Sequence, residues 1–177
     1  EIMPLAATPG RWNWGYDGVL PFAPHAPYGR PDDLKRFIDA AHARHLTVLL
    51  DVVYNHFGPD GNYLGHYAPE FFTARHKTPW GNALNFDDAN SAAVRQFFIH
   101  NAQYWLEEYH FDGLRLDAVH TIRDDSNPSF LRELAHTVHG LSLGREVHLV
   151  LENDANDATL LERTADRKPR IYSAQWN

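Results

Sequence analysis

Apolar residues recur along the chain with a helical period first and then as short unbroken runs. Segment 31–44, PDDLKRFIDAAHAR, carries apolar residues at helical spacing: Leu34, Phe37, Ile38 and Ala41. Pro31 suits the first position of a helix, and Asp32 and Asp33 favour the positive end of its dipole. Segment 46–53, LTVLLDVV, follows as a continuous apolar run, which is typical of a strand covered on both faces. The pattern predicts a helix and then a strand of a parallel sheet.

The same order of helix and strand repeats further along the chain. Segment 91–109 carries a second set of large apolar residues on one helical face: Val94, Phe97, Phe98, Tyr104 and Trp105. Segment 111–119, FDGLRLDAV, follows as a second buried strand. Segment 127–140 predicts another helix, with Asn127 as its cap and Pro128 after the cap, and segment 147–152 predicts a third strand.

Two last segments, DATLLERTA and RIYSAQW, predict one more helix and one more strand. Alternating helices and buried strands predict an α/β fold with right-handed crossovers, either an open doubly wound sheet or a closed barrel. Polar residues gather where the strands end: Asp51, Asn55, His56, Arg115, Asp117, Glu152, Asn153 and Asp154. This placement favours a barrel, because catalytic groups collect at the carboxyl ends of barrel strands.

Three charged residues interrupt the second predicted strand. Asp112, Arg115 and Asp117 lie among apolar neighbours, and burying an unpaired charge costs several kcal/mol or more. Because side chains alternate along a strand, Arg115 and Asp117 should share a face, opposite the residues that face the helices: Leu114, Leu116 and Ala118. A guanidinium beside Asp117 should lower the pKa of that carboxyl and keep it ionised, which suits a nucleophile.

Glu152 ends the next predicted strand and forms the second half of this pattern. Partly desolvated near an ionised Asp117, it should have a raised pKa, which suits a general acid. Two carboxyl groups with opposite protonation states are what glycoside hydrolysis needs, and a retaining mechanism requires them about 5 to 5.5 Å apart. Each residue alone also fits a structural ion pair or a strand-end carboxylate. The coincidence of three strand ends favours the catalytic interpretation.

Residues 55–90 form a long connection rich in Gly, Pro, His and aromatic residues, and a loop of this length is usually functional. Three aromatic residues of this connection, together with Trp14, can line a groove or pack into a small core of their own. The three are Tyr63, Trp80 and Phe86.

Charge and composition narrow the class of partner. The formal net charge is −7, so the chain has no basic footprint for nucleic acid or anionic lipid, and we expect neither partner. It contains no cysteine and no apolar run as long as a membrane span or signal peptide, which predicts a cytoplasmic setting. Twelve histidines include two helical pairs, but no metal-binding motif accompanies them, so we expect no metal and no cofactor.

Three motifs carry a specific family resemblance. DVVYNH (51–56), DGLRLDAVH (112–120) and LVLEND (149–154) resemble the first three sequence regions of the α-amylase family, glycoside hydrolase family 13. The resemblance covers nearly the whole chain and implies a (β/α)₈ TIM barrel. Residues 1–177 resemble its stretch from the end of strand 2 to about strand 6, a fragment of the catalytic barrel domain with a long loop at about 55–90.

The resemblance also implies roles for individual residues. Asp117 would be the nucleophile, Glu152 the general acid and base, and Arg115 the group that orients and ionises Asp117. The other implied positions bind or support. These are His56 for the sugar at the cleavage subsite, Tyr16 as the aromatic platform beneath that sugar, His120 as a weaker sugar contact, and Asp51 and Asn55 as supporting groups.

Within the family, the chain is most similar to members that release trehalose from maltooligosyl trehalose, so an α-glucan or maltooligosyl trehalose is the expected substrate. Branching and isoamylase-type debranching enzymes are the alternatives, and a catalytically silent carbohydrate-binding domain is an alternative of another class. The family's third acid lies in a fourth region that the sequence up to Asn177 does not contain. A closed barrel takes roughly 250 residues, so we expect the 177-residue chain to be inactive alone.

Overall fold

The computed structural model describes residues 1–177, and its helices and strands alternate along most of the chain. The strands are β1 (Ala6–Ala7), β2 (Leu20–Pro24), β3 (Leu49–Val52), β4 (Phe72–Thr78), β5 (Gly81–Leu84), β6 (Gly113–Leu116), β7 (His148–Glu152) and β8 (Ala174–Trp176). The helices are α1 (Pro31–His42), α2 (Leu64–Tyr67), α3 (Ser91–Glu108) and α4 (Phe130–His139). Single 3₁₀ turns cover Ala26–Tyr28, Pro69–Phe71, Val119–Thr121 and Ala158–Leu161. No helix is both long and apolar enough to span a membrane.

Four of the strands form one parallel sheet in the order β3, β6, β7, β8. Its register places Asp51 beside Arg115 and Glu152 beside Trp176. Because the strands are parallel, their carboxyl ends meet at one edge, and the candidate catalytic residues lie at that edge. The parallel sheet and the α/β class are therefore confirmed. The two other pairs, β1 with β2 and β4 with β5, are antiparallel and lie outside this sheet.

The core consists of 29 buried apolar residues between this sheet and the helices. Strand residues Leu50, Leu114 and Leu149 contribute to it, and each is at most 1% exposed. The helices supply other large side chains of the core, among them Ile38, Val94, Phe98, Trp105, Phe130 and Leu134. Fully burying one such side chain is worth about 1.5 to 3 kcal/mol, so this cluster stabilises the sheet on which the site is built.

The first two predicted helices and the predicted strands are confirmed, although the strands are shorter than their apolar runs. The predicted start of α4 is wrong. Its N-cap is Ser129 rather than Asn127, and the first helical amide, that of Phe130, donates to Asp124 Oδ2 at 2.5 Å. The Asp124 carboxylate therefore accepts the hydrogen bond of the first helical amide, in place of the predicted cap.

The predicted helix at 157–165 is also wrong, because only the 3₁₀ turn Ala158–Leu161 forms. Leu160 is its one buried residue, and the residues after Leu161 are polar and mostly exposed, so a longer helix would have no apolar face to bury. The long connection at 55–90 is present, but it contains α2 and the hairpin β4–β5. The pair β1–β2 was not predicted either.

Candidate active site

Arg115 lies at the centre of the site and is surrounded by three carboxylates. Its Nη1 donates to Asp51 Oδ1 and Oδ2 at 2.7 and 2.8 Å and to Asp117 Oδ1 at 2.9 Å. Its Nη2 lies 3.0 Å from Glu152 Oε2. Burial lowers the pKa of the guanidinium, but the hydrogen bond and charge of Asp51 raise it above its ordinary value, so the cation persists. The charges buried in β6 are therefore paired, as predicted.

Asp117 follows β6 directly, and two donors orient its carboxylate. Arg115 donates to Oδ1, and Asn55 Nδ2 donates to Oδ2 at 2.9 Å and to the main-chain carbonyl of Asp117 at 2.7 Å. Each carboxylate oxygen of Asp117 therefore has its own donor, which fixes the plane of the group. Asn55 is 3% exposed, so its amide is fixed by packing. This geometry agrees with the predicted supporting role of Asn55.

Glu152 ends β7 and faces the same guanidinium. Its Oε2 accepts a hydrogen bond from the main-chain amide of Ala118 at 2.8 Å. Ala118 has φ 40°, a left-handed conformation rare for a residue with a side chain, and this turn directs its amide toward Glu152. Both contacts hold the Glu152 carboxyl at the centre of the site. The proton expected on Glu152 stays a prediction.

Asp51 and Tyr16 form the outer part of this network. The Tyr16 hydroxyl donates to Asp51 Oδ2 at 2.7 Å. Burial raises the pKa of Asp51 to about 6, although the hydrogen bonds from Arg115 and Tyr16 act in the opposite direction. Burial and the hydrogen bond to Asp51 raise the pKa of Tyr16, so it remains a donor. Asp51 thus links Arg115 to Tyr16, the predicted sugar platform.

Two glycines determine how closely the Tyr16 segment approaches the sheet edge. The Gly58 amide donates to Gly18 O at 3.0 Å, and a Cβ on Gly58 would lie 2.2 Å from Asp17 O. A Cβ on Gly15, whose φ is +98°, would lie 2.2 Å from Pro4 O. Any side chain at either position would therefore displace the backbone beside Tyr16. Sequence reasoning did not identify these glycines, because the chain segments they separate are distant in sequence.

His56 lies beside Asn55, and that contact determines which ring nitrogen carries the hydrogen. Burial lowers the pKa of His56, with partial opposition from the charge of Asp117, so the ring is neutral at pH 7. Because the Asn55 amide nitrogen faces Asp117, its oxygen faces His56 Nδ1, which must carry the hydrogen. Nε2 is then an acceptor suited to a sugar hydroxyl. This tautomer follows from the hydrogen-bond pattern.

Replacing Asn55 by Asp tests this arrangement. The substitution removes the amide donor to Asp117 and places a second carboxylate beside it, and the two like charges repel. We expect kcat/KM to fall roughly 100-fold, because Asp117 loses the contact that orients it. The kinetics are measured on a full-length chain carrying these residues. Asn156→Asp, which adds the same charge at an exposed position, should leave kcat/KM unchanged. A wild-type kcat/KM in Asn55→Asp would refute the role of this contact.

His120 lies on the 3₁₀ turn Val119–Thr121, at the same edge of the sheet. Its Nδ1 accepts from the main-chain amide of Asp154 at 3.3 Å, and its Nε2 lies 3.5 Å from Asp154 Oδ2. The structure therefore ties His120 to the segment after β7. A sugar contact by His120 stays a prediction.

A cleft of about 470 Å³ adjoins Asn55 and His56. Asn55 and His56 line one side, and the β4–β5 hairpin lines the other with Trp80. The Trp80 ring stacks on His56 with centroids 4.1 Å apart and stays 48% exposed. Trp80 therefore fits a groove, whereas Phe86 does not. Phe86 is 1% exposed and stacks on Phe130 in the core.

Sequence reasoning missed a charged cluster that holds this hairpin. Ligand-type atoms of His76, Asp87 and Asp125 lie within 4.8 Å of one another. However, Arg75 Nη2 bonds to Asp125 at 3.0 Å, and His76 Nε2 bonds to Asp87 at 2.8 Å. The Asp125 amide also donates to Asp87 Oδ2. We interpret the cluster as a tether between the hairpin and the segment that precedes α4.

The chain is similar to several known proteins in sequence and in structure. No family model matches the chain. The malto-oligosyltrehalose trehalohydrolase of Deinococcus radiodurans is 51% identical over 154 residues, which cover 87% of this chain and 25% of that protein. The Arthrobacter ramosus enzyme of the same name is 48% identical over 179 residues, which cover 100% and 31%. A solved Salmonella typhimurium structure, provisionally named an alpha amylase, has TM-score 0.93 and 47% identity, covering 99% and 30%.

The chain thus spans between 25% and 31% of the length of these proteins. A 1,4-alpha-glucan branching enzyme of Vibrio parahaemolyticus is also similar, with 40% identity over 123 residues, or 67% of this chain. The two trehalohydrolases named above therefore have a higher identity to this chain, over a longer alignment, than this branching enzyme has.

Proposed function

The chain belongs to the α-amylase family of glycoside hydrolases, and on that premise we propose that a full-length protein carrying it hydrolyses maltooligosyl trehalose. The bond cleaved is the α-1,4 glucosidic bond next to the trehalose end, and trehalose is released. The identities of 51% and 48% to malto-oligosyltrehalose trehalohydrolases support this substrate. One structural observation carries the chemistry, namely that the Arg115 guanidinium contacts Asp117 and Glu152 together.

In the first proposed step, Asp117 Oδ attacks the anomeric carbon of the glucose beside the trehalose unit. The bond between that carbon and the trehalose oxygen breaks, and Glu152 gives its proton to this oxygen. The products are trehalose and a glycosyl ester on Asp117. Arg115 and Asn55 support this role of Asp117, because both donate to its carboxylate and fix its orientation.

In the second step, Glu152 takes a proton from water, which attacks the same carbon and releases Asp117. The configuration at the anomeric carbon is retained, and no cofactor takes part. The contacts of Glu152 with Arg115 and with the Ala118 amide support this role, because they hold its carboxyl on the same guanidinium as Asp117. The neutral His56 then accepts from a sugar hydroxyl, and Tyr16 packs beneath the ring.

We also propose that the four parallel strands belong to a closed (β/α)₈ barrel and that the protein acts in trehalose formation in the cytoplasm. The barrel is supported by the polar residues at the carboxyl ends of β3, β6 and β7. A branching enzyme remains the second candidate because of the Vibrio parahaemolyticus similarity.

The deciding experiment incubates the full-length protein with maltotriosyl trehalose and, separately, with amylose. Release of free trehalose and maltotriose supports the proposal. New α-1,6 linkages in amylose without trehalose release would instead identify a branching enzyme. Cleavage of α-1,6 branch points in amylopectin would identify a debranching enzyme, and binding without any product would identify a silent carbohydrate-binding domain.

A further inference from the structure

Trp176 lies over the Arg115 guanidinium, although no motif in the sequence singles it out. The guanidinium carbon is 5.6 Å from the centre of the indole ring. Trp176 is the register partner of Glu152 in the parallel pair β7–β8, so the two side chains leave the sheet on the same face. The Asn153 amide donates to Trp176 O at 2.7 Å, which continues this pairing past the end of β7. The backbone thus places the Trp176 side chain on the same face of the sheet as Glu152, and this residue is 49% exposed.

The other contacts of Arg115 leave a place for such a ring. Nη1 and Nη2 meet carboxylates, whereas Nε is buried and has no hydrogen-bond partner. The polar contacts of the guanidinium therefore all involve its two terminal nitrogens, Nη1 and Nη2. An aromatic face against a guanidinium is attractive, and the attraction grows when water is excluded. The Arg115 side chain is 7% exposed, which meets that condition.

We propose that Trp176 is a positioning residue for the reaction proposed above, and that its indole holds Arg115 in the one orientation that contacts Asp117 and Glu152 together. The inference rests on the proposed function. Without the ring, the guanidinium can rotate about its side-chain bonds and water can reach its face. Its hold on both carboxylates then weakens, because the same charges interact less strongly in a more polar environment.

A pH profile reports this effect, because several titratable groups meet at Arg115. Asp51 from β3, Asp117 after β6 and Glu152 from β7 contact it directly, while Tyr16 and His56 act through Asp51 and Asn55. The Arg115 hydrogen bond and charge lower the pKa of Asp51 against the effect of burial, and a more hydrated Arg115 lowers it less, so Asp51 binds its proton at higher pH. The acid limb of kcat/KM should therefore move to higher pH when the ring is lost.

The test compares Trp176→Phe with Trp176→Leu in the full-length protein. Phe keeps an aromatic face, whereas Leu keeps apolar bulk without one. We expect kcat on maltotriosyl trehalose to fall about tenfold in the Leu variant and no more than about threefold in the Phe variant, with KM changed less than kcat. The acid limb should shift only in Leu. Equal kcat values and equal pH profiles in the two variants, with only the melting temperature lowered, would overturn the proposal.

A second readout does not depend on activity. In protein labelled with ¹⁵N at arginine Nε, the signal of Arg115, assigned by its loss in Arg115→Lys, should show a ring-current shift that Trp176→Leu abolishes and Trp176→Phe partly keeps. An Arg115 signal unaffected by the Leu substitution would refute the contact itself. If the wild-type protein shows the shift but does not hydrolyse maltotriosyl trehalose, the proposed function fails while the contact between Trp176 and Arg115 stands.

Discussion

Asp117→Asn is expected to lower kcat on maltooligosyl trehalose by at least about 10⁴-fold in the full-length protein. An amide has nearly the shape of the carboxylate, so the fold should persist, but it is too weak a nucleophile to form the glycosyl ester. The amide oxygen can still accept from Arg115, which should limit the loss of stability. The measurements are steady-state kinetics and the melting temperature of the same preparation.

Asp112→Asn is the matched control, because Asp112 lies at the opposite end of β6. Asp112 Oδ2 accepts from the Val48 amide at 2.7 Å and contacts His42 Nε2 at 2.9 Å, both far along the strand from the cleft. This variant should lose stability and keep its kcat. A further variant, Asp117→Gly, should yield a β-glycosyl azide when azide is added, since azide replaces the missing nucleophile. Activity of Asp117→Asn within tenfold of wild type would exclude the nucleophile role.

Glu152→Gln is expected to show the second large effect, and its size should depend on the leaving group. With maltooligosyl trehalose, kcat should fall about 10³-fold, because the leaving oxygen must be protonated as the bond breaks. With an α-glucosyl fluoride, whose leaving group needs no such proton, the first step should be nearly normal. The experiment measures kcat of the wild-type protein and of Glu152→Gln on each substrate. The ratio of wild-type to variant kcat is then compared between the two substrates.

The products separate a general acid and base from a structural role for Glu152. In Glu152→Ala, azide should attack the glycosyl ester on Asp117 and yield an α-glycosyl azide, the opposite configuration from the nucleophile variant. An equal loss on both substrates, without any azide product, would assign Glu152 to folding or binding only.

Much of the fold followed from the period of the apolar residues. The helical spacing in 31–44 and the unbroken run in 46–53 identified α1 and β3, because burial alone dictates both patterns. The prediction at 157–165 was wrong for a related reason. Two adjacent leucines, Leu160 and Leu161, resemble the start of an apolar face, and the polar residues after them do not continue it.

The site was less predictable than the fold, because its contacts depend on register and backbone turns. Alternation along β6 placed Arg115 and Asp117 on one face, and that prediction agrees with their 2.9 Å contact. No sequence pattern showed that Ala118 would adopt a positive φ and direct its amide to Glu152. The proton expected on Glu152 rested on partial desolvation and on the charge of Asp117, and it stays a prediction.

The number of acids around Arg115 has one further consequence. One cation faces three carboxyl groups, those of Asp51, Asp117 and Glu152, so the centre keeps an excess of negative charge when Asp51 and Asp117 are ionised and Glu152 holds the proton that it donates. The electric field of this excess negative charge attracts cations and repels anions. It therefore lowers the energy of a sugar ring that becomes cationic as its bond to the neighbouring residue stretches, and it disfavours phosphorylated or carboxylated sugars at the same position.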